Sequence, residues 1–110
     1  MMKLALSPAA SGLLRALIAR SGVGREDVIL SNFRSVDWQS LTFVGERHEM
    51  TLRIIGPEAW SVARRMSENL PDAEFSIPGQ LVADIALRHE PKQDADGSVI
   101  LDIEALTLVD

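Results

Sequence analysis

Apolar residues recur along this chain in two periods, and the changes from one to the other mark out its elements. After Ser7, the residues Ala10, Leu13, Leu14, Leu17 and Ile18 follow the three-and-four spacing of one helical face. Ser7 stands where an N-cap belongs, and Pro8 takes the first helical position, where a missing N–H costs nothing. Gly22 and Gly24 end this helix, and Arg15 and Arg20 lie off its stripe. A second stripe, Ala59, Trp60, Ala63, Met66 and Leu70, opens after Gly56-Pro57 and stops at Pro71. Arg64, Arg65 and Glu68 fall on its water side, and Trp60 on its core side.

Elsewhere the period is two. Met2 to Leu6 is a short extended opening, and Asp27 to Trp38 reads as extended with a kink at Ser31-Asn32. Trp38 to Val44 reads as a strand with Leu41 and Phe43 on one face, and Gly45-Glu46 as the turn that follows it. The next strand sets His48, Met50, Leu52 and Ile54 against Arg47, Glu49, Thr51 and Arg53, the in/out alternation of a sheet with one solvated side. Ala73 to Ile77 is a short extended piece before a Pro78-Gly79 turn. Then Leu81, Ala83, Ile85 and Leu87 alternate against Gln80, Val82, Asp84, Ala86 and Arg88. After a polar loop from Pro91 to Gly97, Val99, Leu101, Ile103 and Ala105 alternate against Asp102 and Glu104. Ile100, Leu106 and Leu108 add apolar weight to that second face.

The two halves repeat one order. Each has an extended piece, a helix opened by proline and two further strands, and the prolines lie 49 residues apart (57 − 8). Two amphipathic helices and several one-sided strands must bury their faces against one another. The arrangement that does so most simply is an α+β two-layer sandwich, with a mostly antiparallel sheet of four to five strands and both helices on one face. Each strand–helix–strand unit then has another strand inserted between its ends. In element order this resembles the ferredoxin-like fold, with an extra strand at the C-terminus.

Composition narrows the functional classes. With 110 residues the chain is read as one domain, residues 1–110, and 46% hydrophobic residues give it a core. It has no cysteine, so disulfides, thiolate metal sites and cysteine nucleophiles are excluded. A net charge of −5 disfavours nucleic acid and anionic membrane surfaces as partners. No apolar run reaches membrane-spanning length, and Pro8, Gly12 and Arg15 interrupt the opening that a signal peptide would need. A cytoplasmic location is expected.

Candidate chemistry is sparse. Arg47-His48-Glu49 and Arg88-His89-Glu90 are the same tripeptide and hold the only two histidines. Imidazole titrates near neutrality and binds metals, but no third ligand is in view, and both rings take the parity of their strands' apolar residues. No metal and no cofactor are expected. Asp94-Ala95-Asp96-Gly97 looks like a calcium loop until its first and last ligand slots prove to be Lys92 and Ile103. A Gly-closed hairpin loop is expected there. Arg47, Arg53, Asp84 and Arg88 lie on the outer sheet face as a mixed-charge platform, and Trp38 is a candidate anchor for a partner. No catalytic residue is assigned, and no glycine-rich phosphate loop, nucleophile elbow or metalloprotease helix is present.

The reading that accounts for most of this is a non-enzymatic interaction or regulatory domain. It would self-associate through its sheet, because Val82, Ala86, Ile100, Leu106 and Leu108 leave an apolar patch on the outer face. The alternative is a small enzyme or ligand-binding module using His48 and polar neighbours, with the weaker positions Trp38, Arg47, Arg53, Asp84, Arg88 and His89 around it.

Overall fold

Ser7 does cap the first helix. Its Oγ accepts from the Ala10 N–H at 3.1 Å, Pro8 sits in the first turn, and α1 runs Pro8–Ser21 in this computed structural model, which describes residues 5–22 and 24–110. Gly22 ends it at φ 76°, a left-handed cap that an L side chain rarely adopts. The buried face is Ala9, Ala10, Leu13 and Leu17. Of the extended opening read at Met2–Leu6, Met2 to Leu4 lie outside the described residues. Ala5 and Leu6 are not in a strand, although Leu6 packs on the core.

A 3-10 turn at Arg25–Asp27 leads into β1 (Val28–Gln39), which pairs antiparallel with β2 (Val44–Ile54). The kink read at Ser31-Asn32 is a bulge, with the register shifting between Leu30 and Asn32. After β2, α2 (Ala59–Ser67) crosses the sheet, and a second 3-10 turn spans Leu70–Asp72. Then come β3 (Gln80–Leu87), the two-residue β4 (Lys92–Gln93) and β5 (Val99–Val109). The sheet order is β1-β2-β5-β3, with β4 extending the β3 side of β5, and every pairing is antiparallel.

The described residues form an α+β protein with a five-stranded antiparallel sheet and two α-helices. β2 and β3, joined through α2, are parallel to each other with β5 inserted between them. The strand read as an extra at the C-terminus is therefore central. It lies beside β2, where Leu52 faces Leu101, Met50 faces Ile103 and Ile54 faces Val99. All six are at most 1% exposed and form one cluster with Leu13 and Leu17 of α1 and Val62 and Met66 of α2. Each such side chain contributes roughly 1.5–3 kcal/mol by leaving water.

Four local readings change. The turn of the first hairpin is at Ser40–Phe43, not Gly45-Glu46. Ser40 closes it, its N–H donating to the Phe43 carbonyl at 2.8 Å and its Oγ accepting from the Phe43 N–H at 3.1 Å. Leu41 and Phe43 are thus turn residues rather than one face of a strand. A bulge between Val82 and Asp84 inverts the start of β3, so Val82 joins the helix side and Leu81 turns outward, 48% exposed. On α2 the buried stripe is Ala59, Val62, Ala63 and Met66. Val62 takes the place given to Trp60, which is 44% exposed. Last, Asn69 adopts the left-handed conformation that ends the α2 region, and Leu70 is buried beyond it in the 3-10 turn.

Arg20, read as lying off its helix's stripe, and Arg65, read as facing water, tie the helix ends together. Arg20 donates to the carbonyls of Met66 and Glu68, and Arg65 donates to that of Ser21 at 2.9 Å.

Candidate functional site

His48 projects from β2 toward the helices and is completely buried. Two hydroxyls hold it. Ser35 Oγ on β1 lies 2.7 Å from Nδ1, and Thr107 Oγ1 on β5 lies 2.8 Å from Nε2. A neutral imidazole has one donor and one acceptor nitrogen, and a hydroxyl can serve either. Burial holds this imidazole below its ordinary value, and the smaller pull of the Glu46 carboxylate acts the other way. The ring joins three strands in a polar seam on the helix side of the sheet. With both nitrogens engaged, it offers no free position to a substrate proton.

Above this seam, toward the first hairpin turn, two carboxylates face each other: Asp37 on β1 is opposite Glu46 on β2. Like charges so placed repel. Both line a groove of about 390 Å³ whose other walls include Pro8 and Ala9 of α1, Val44 of β2 and Val109 of β5. Glu46 Oε1 is buried and has no hydrogen-bond partner among the described residues.

The same end of the sheet gathers exposed apolar side chains. Leu41 is fully exposed at the tip of the turn, and Phe43 and Val44 beside it are 48% and 53% exposed. On the outer face one row crosses all four long strands: Trp38, Gly45, Leu108 and Leu81. Gly45 is required there. A Cβ on it would collide with the backbone carbonyl of Thr107 on β5.

The outer-face charges are spread rather than gathered. Arg88 reaches Glu49 at 3.8 Å and Glu104 at 3.9 Å. Arg47 lies opposite Val36 and Leu106, and Asp84 lies on the other side of Leu106. Arg53 is at the far end of the sheet, 3.0 Å from Asp94 and bonded to Ser98 Oγ at 2.5 Å. It helps hold the loop that closes with Gly97. Hydrogen bonds from Ser98 to Asp96 lock that loop and keep the Asp96 carboxyl below its usual value. His89 is exposed, 3.9 Å from Asp102.

The residues singled out in the sequence therefore do not converge. His48 lies inside, while Trp38, Arg47, Asp84 and Arg88 are spread across the outer face, and Arg53 and His89 lie toward its far end. Among the described residues no group of three or more His, Asp or Glu side chains is placed to hold a metal ion, and no helix is long and apolar enough to cross a membrane. Sequence reasoning missed Ser35, Thr107 and Glu46. Thr107 had a signal, since it continues the buried parity of Val99, Leu101, Ile103 and Ala105. The expected outer patch is also smaller than the sequence suggested. Val82 is inside, and Leu106, flanked by Arg47 and Asp84, is only 9% exposed. Compared with protein-family models, with curated proteins and with solved structures, the chain matches none.

Proposed function

We propose that this domain acts by binding protein rather than by turning over a substrate, and that it self-associates through its sheet. The observation that carries the reading is where its exposed apolar residues lie. Of the eight large apolar residues that are exposed among the described residues, five, Ile29, Val36, Leu41, Phe43 and Val44, belong to one hairpin, and Trp60, Leu81 and Val109 lie elsewhere. Exposed apolar surface concentrated in this way favours coverage by a partner, and a symmetric pair of identical chains is the commonest cover. The engagement of both His48 nitrogens speaks for a structural role of that ring.

The fold reading that accompanies this is a ferredoxin-like sandwich in rearranged form. β5, from the C-terminal end, takes a central position beside β2. The split β2–α2–β3 crossover supports it.

Sedimentation equilibrium at micromolar concentration tests self-association. A mass of two chains is expected, falling toward one on dilution. A single-chain mass at every concentration overturns it.

A second reading rests on Glu46 Oε1. A buried carboxylate oxygen with no donor among the described residues, in a groove with Asp37 opposite, suits a small ligand bearing N–H groups. A rise in melting temperature with simple amines, abolished in Glu46→Gln, is its expected signature.

A further inference from the structure

We infer that the free edge of β1 is the seat of self-association, and that a second copy pairs with it antiparallel, Val36 facing Val36 across the two-fold axis. This rests on the self-association proposed above and specifies its geometry.

The sheet has two edges. On one side β3 and β4 are short, and β3 is broken by its bulge at Ala83. On the other, β1 is 12 residues long and no described element pairs with its outer side. Natural sheets guard such edges with prolines, lysines or inward-pointing charges. From Asn32 to Gln39, beyond its own bulge, β1 has no proline or lysine and only two charges, Arg34 and Asp37. Neither forms an ion pair among the described residues.

The sequence of the edge selects the register. In an antiparallel pair directly opposite residues share a face, so a symmetric pairing must centre on one residue facing its own copy. Centring on Arg34 or on Asp37 sets like charges face to face. Centring on Ser35 sets Asp37 against the apolar Phe33. Centring on Val36 removes each conflict. On the outer face Arg34 lies opposite Trp38 of the other copy, where a guanidinium meets an indole. On the helix side Ser35 lies opposite Asp37, a hydroxyl against a carboxylate. Phe33 lies opposite Gln39. The same axis brings each hairpin tip, with Leu41 and Phe43, alongside the Ile29 end of the other copy's strand. Ile29, Val36, Leu41 and Phe43 then lie along one seam, while Val44, on β2, stays outside it.

Cysteine cross-linking reads this register directly, because the chain has no cysteine of its own. Facing Cα atoms in an antiparallel pair are about 4.5–5.5 Å apart, within disulfide range. Under mild oxidation the full-length Val36→Cys chain is expected to become covalent dimer at least tenfold faster than Leu81→Cys, an exposed thiol on the opposite edge. Ser35→Cys and Asp37→Cys, which mark neighbouring registers, stay at the Leu81→Cys rate. A mixture of Arg34→Cys with Trp38→Cys cross-links, whereas neither does so alone. Val36 is exposed, so its substitution leaves the fold intact, checked by an unchanged melting temperature. As a second variant, Val36→Arg faces two positive charges across the axis and halves the sedimentation mass. A dimeric mass with Val36→Cys no faster than Leu81→Cys overturns the edge pairing while leaving self-association in place. A monomeric mass of the unmodified chain overturns both.

Discussion

Arg20 on α1 and Arg65 on α2 each close the end of the other's helix. Arg20 Nε donates to the Met66 carbonyl at 3.2 Å, and Arg65 Nε donates to the Ser21 carbonyl at 2.9 Å. The last carbonyls of a helix have no partner within it, and cationic donors there also complement the helix dipole. The Arg20 guanidinium additionally lies 5.9 Å from the centre of the Phe75 ring. Replacing either arginine with methionine keeps the apolar stem and removes the donors. Each change is expected to lower unfolding free energy by about 1–2 kcal/mol in urea. The double variant loses less than the two together, because both act on one junction. Full additivity would mean that the two arginines work independently.

His48 makes stability depend on pH. In the unfolded chain the imidazole titrates at its ordinary value of 6.5, and in the folded chain it titrates lower. Above 6.5 both forms are neutral and this contribution is fully present. As the pH falls below 6.5, the unfolded chain takes up a proton that the folded chain refuses. Stability then falls, with a slope approaching about 1.4 kcal/mol per pH unit, until the folded value is passed. Urea midpoints measured across this range show the fall in the natural chain and not in His48→Gln. Glu46→Gln removes the pull that raises His48 and extends the fall to lower pH. Parallel curves for the natural chain and His48→Gln would exclude His48 as the source.

The two hydroxyls that hold His48 are not equivalent. Thr107 is fully buried and Ser35 only half-buried. Thr107→Val leaves Nε2 without a partner in a place water does not reach, which costs about 1–3 kcal/mol. Water can replace the hydroxyl in Ser35→Ala, so the smaller loss is expected there. Chemical denaturation of the two variants checks the order, and a larger loss in Ser35→Ala would reverse the assignment.

Legibility in the sequence followed physical constraint. α1 was readable end to end because Ser7, Pro8 and Gly22 each have a local reason for their place. β2 and the inner face of β5 were readable because one side is dry and the other wet, so period two survives. The start of β3 was not, because a bulge at Ala83 shifts parity and no residue type announces it. Trp60 was misplaced because it was taken into the apolar stripe of its helix, whereas the smaller Val62 is the residue that faces the core. The turn at Ser40–Phe43 was missed because Gly45 looked like turn chemistry. Its actual task is close approach to β5, a relation between strands distant in sequence. The site was least legible for the same reason. Ser35, His48 and Thr107 meet only after three strands have been set side by side.

Glu49 and Glu104 face each other across β2 and β5 on the outer face, and Arg88 lies within 3.8 and 3.9 Å of the two carboxylates. All three side chains are more than a third exposed, so screening keeps the interaction small, about 0.2–1 kcal/mol. Arg88→Met is expected to lower stability by that amount at low salt and by less at high salt. Glu104→Gln in the Arg88→Met chain recovers the loss by removing the repulsion. A loss insensitive to salt would show that the Arg88 stem, rather than its charge, is what matters.

Gly45 faces Trp38 on one side and Leu108 on the other. A methyl at this position would have to occupy the space of the Thr107 carbonyl, which belongs to the backbone and has no rotamer to yield. Gly45→Ala must therefore push β2 and β5 apart at the end of the sheet where Glu46 pairs with Thr107. The same strain reaches His48 through its bond to Thr107 Oγ1. A loss of about 2–4 kcal/mol is expected, at or beyond the upper range for overpacking. It should come with faster amide exchange at Glu46, Thr107 and Leu108 and little change around Leu52 and Leu101, midway along the same ladder. Trp38→Ala removes only the indole beside the glycine and leaves strand spacing alone, so its exchange pattern stays that of the natural chain. Equal exchange changes in the two variants would mean that the glycine serves the tryptophan rather than the approach of the two central strands.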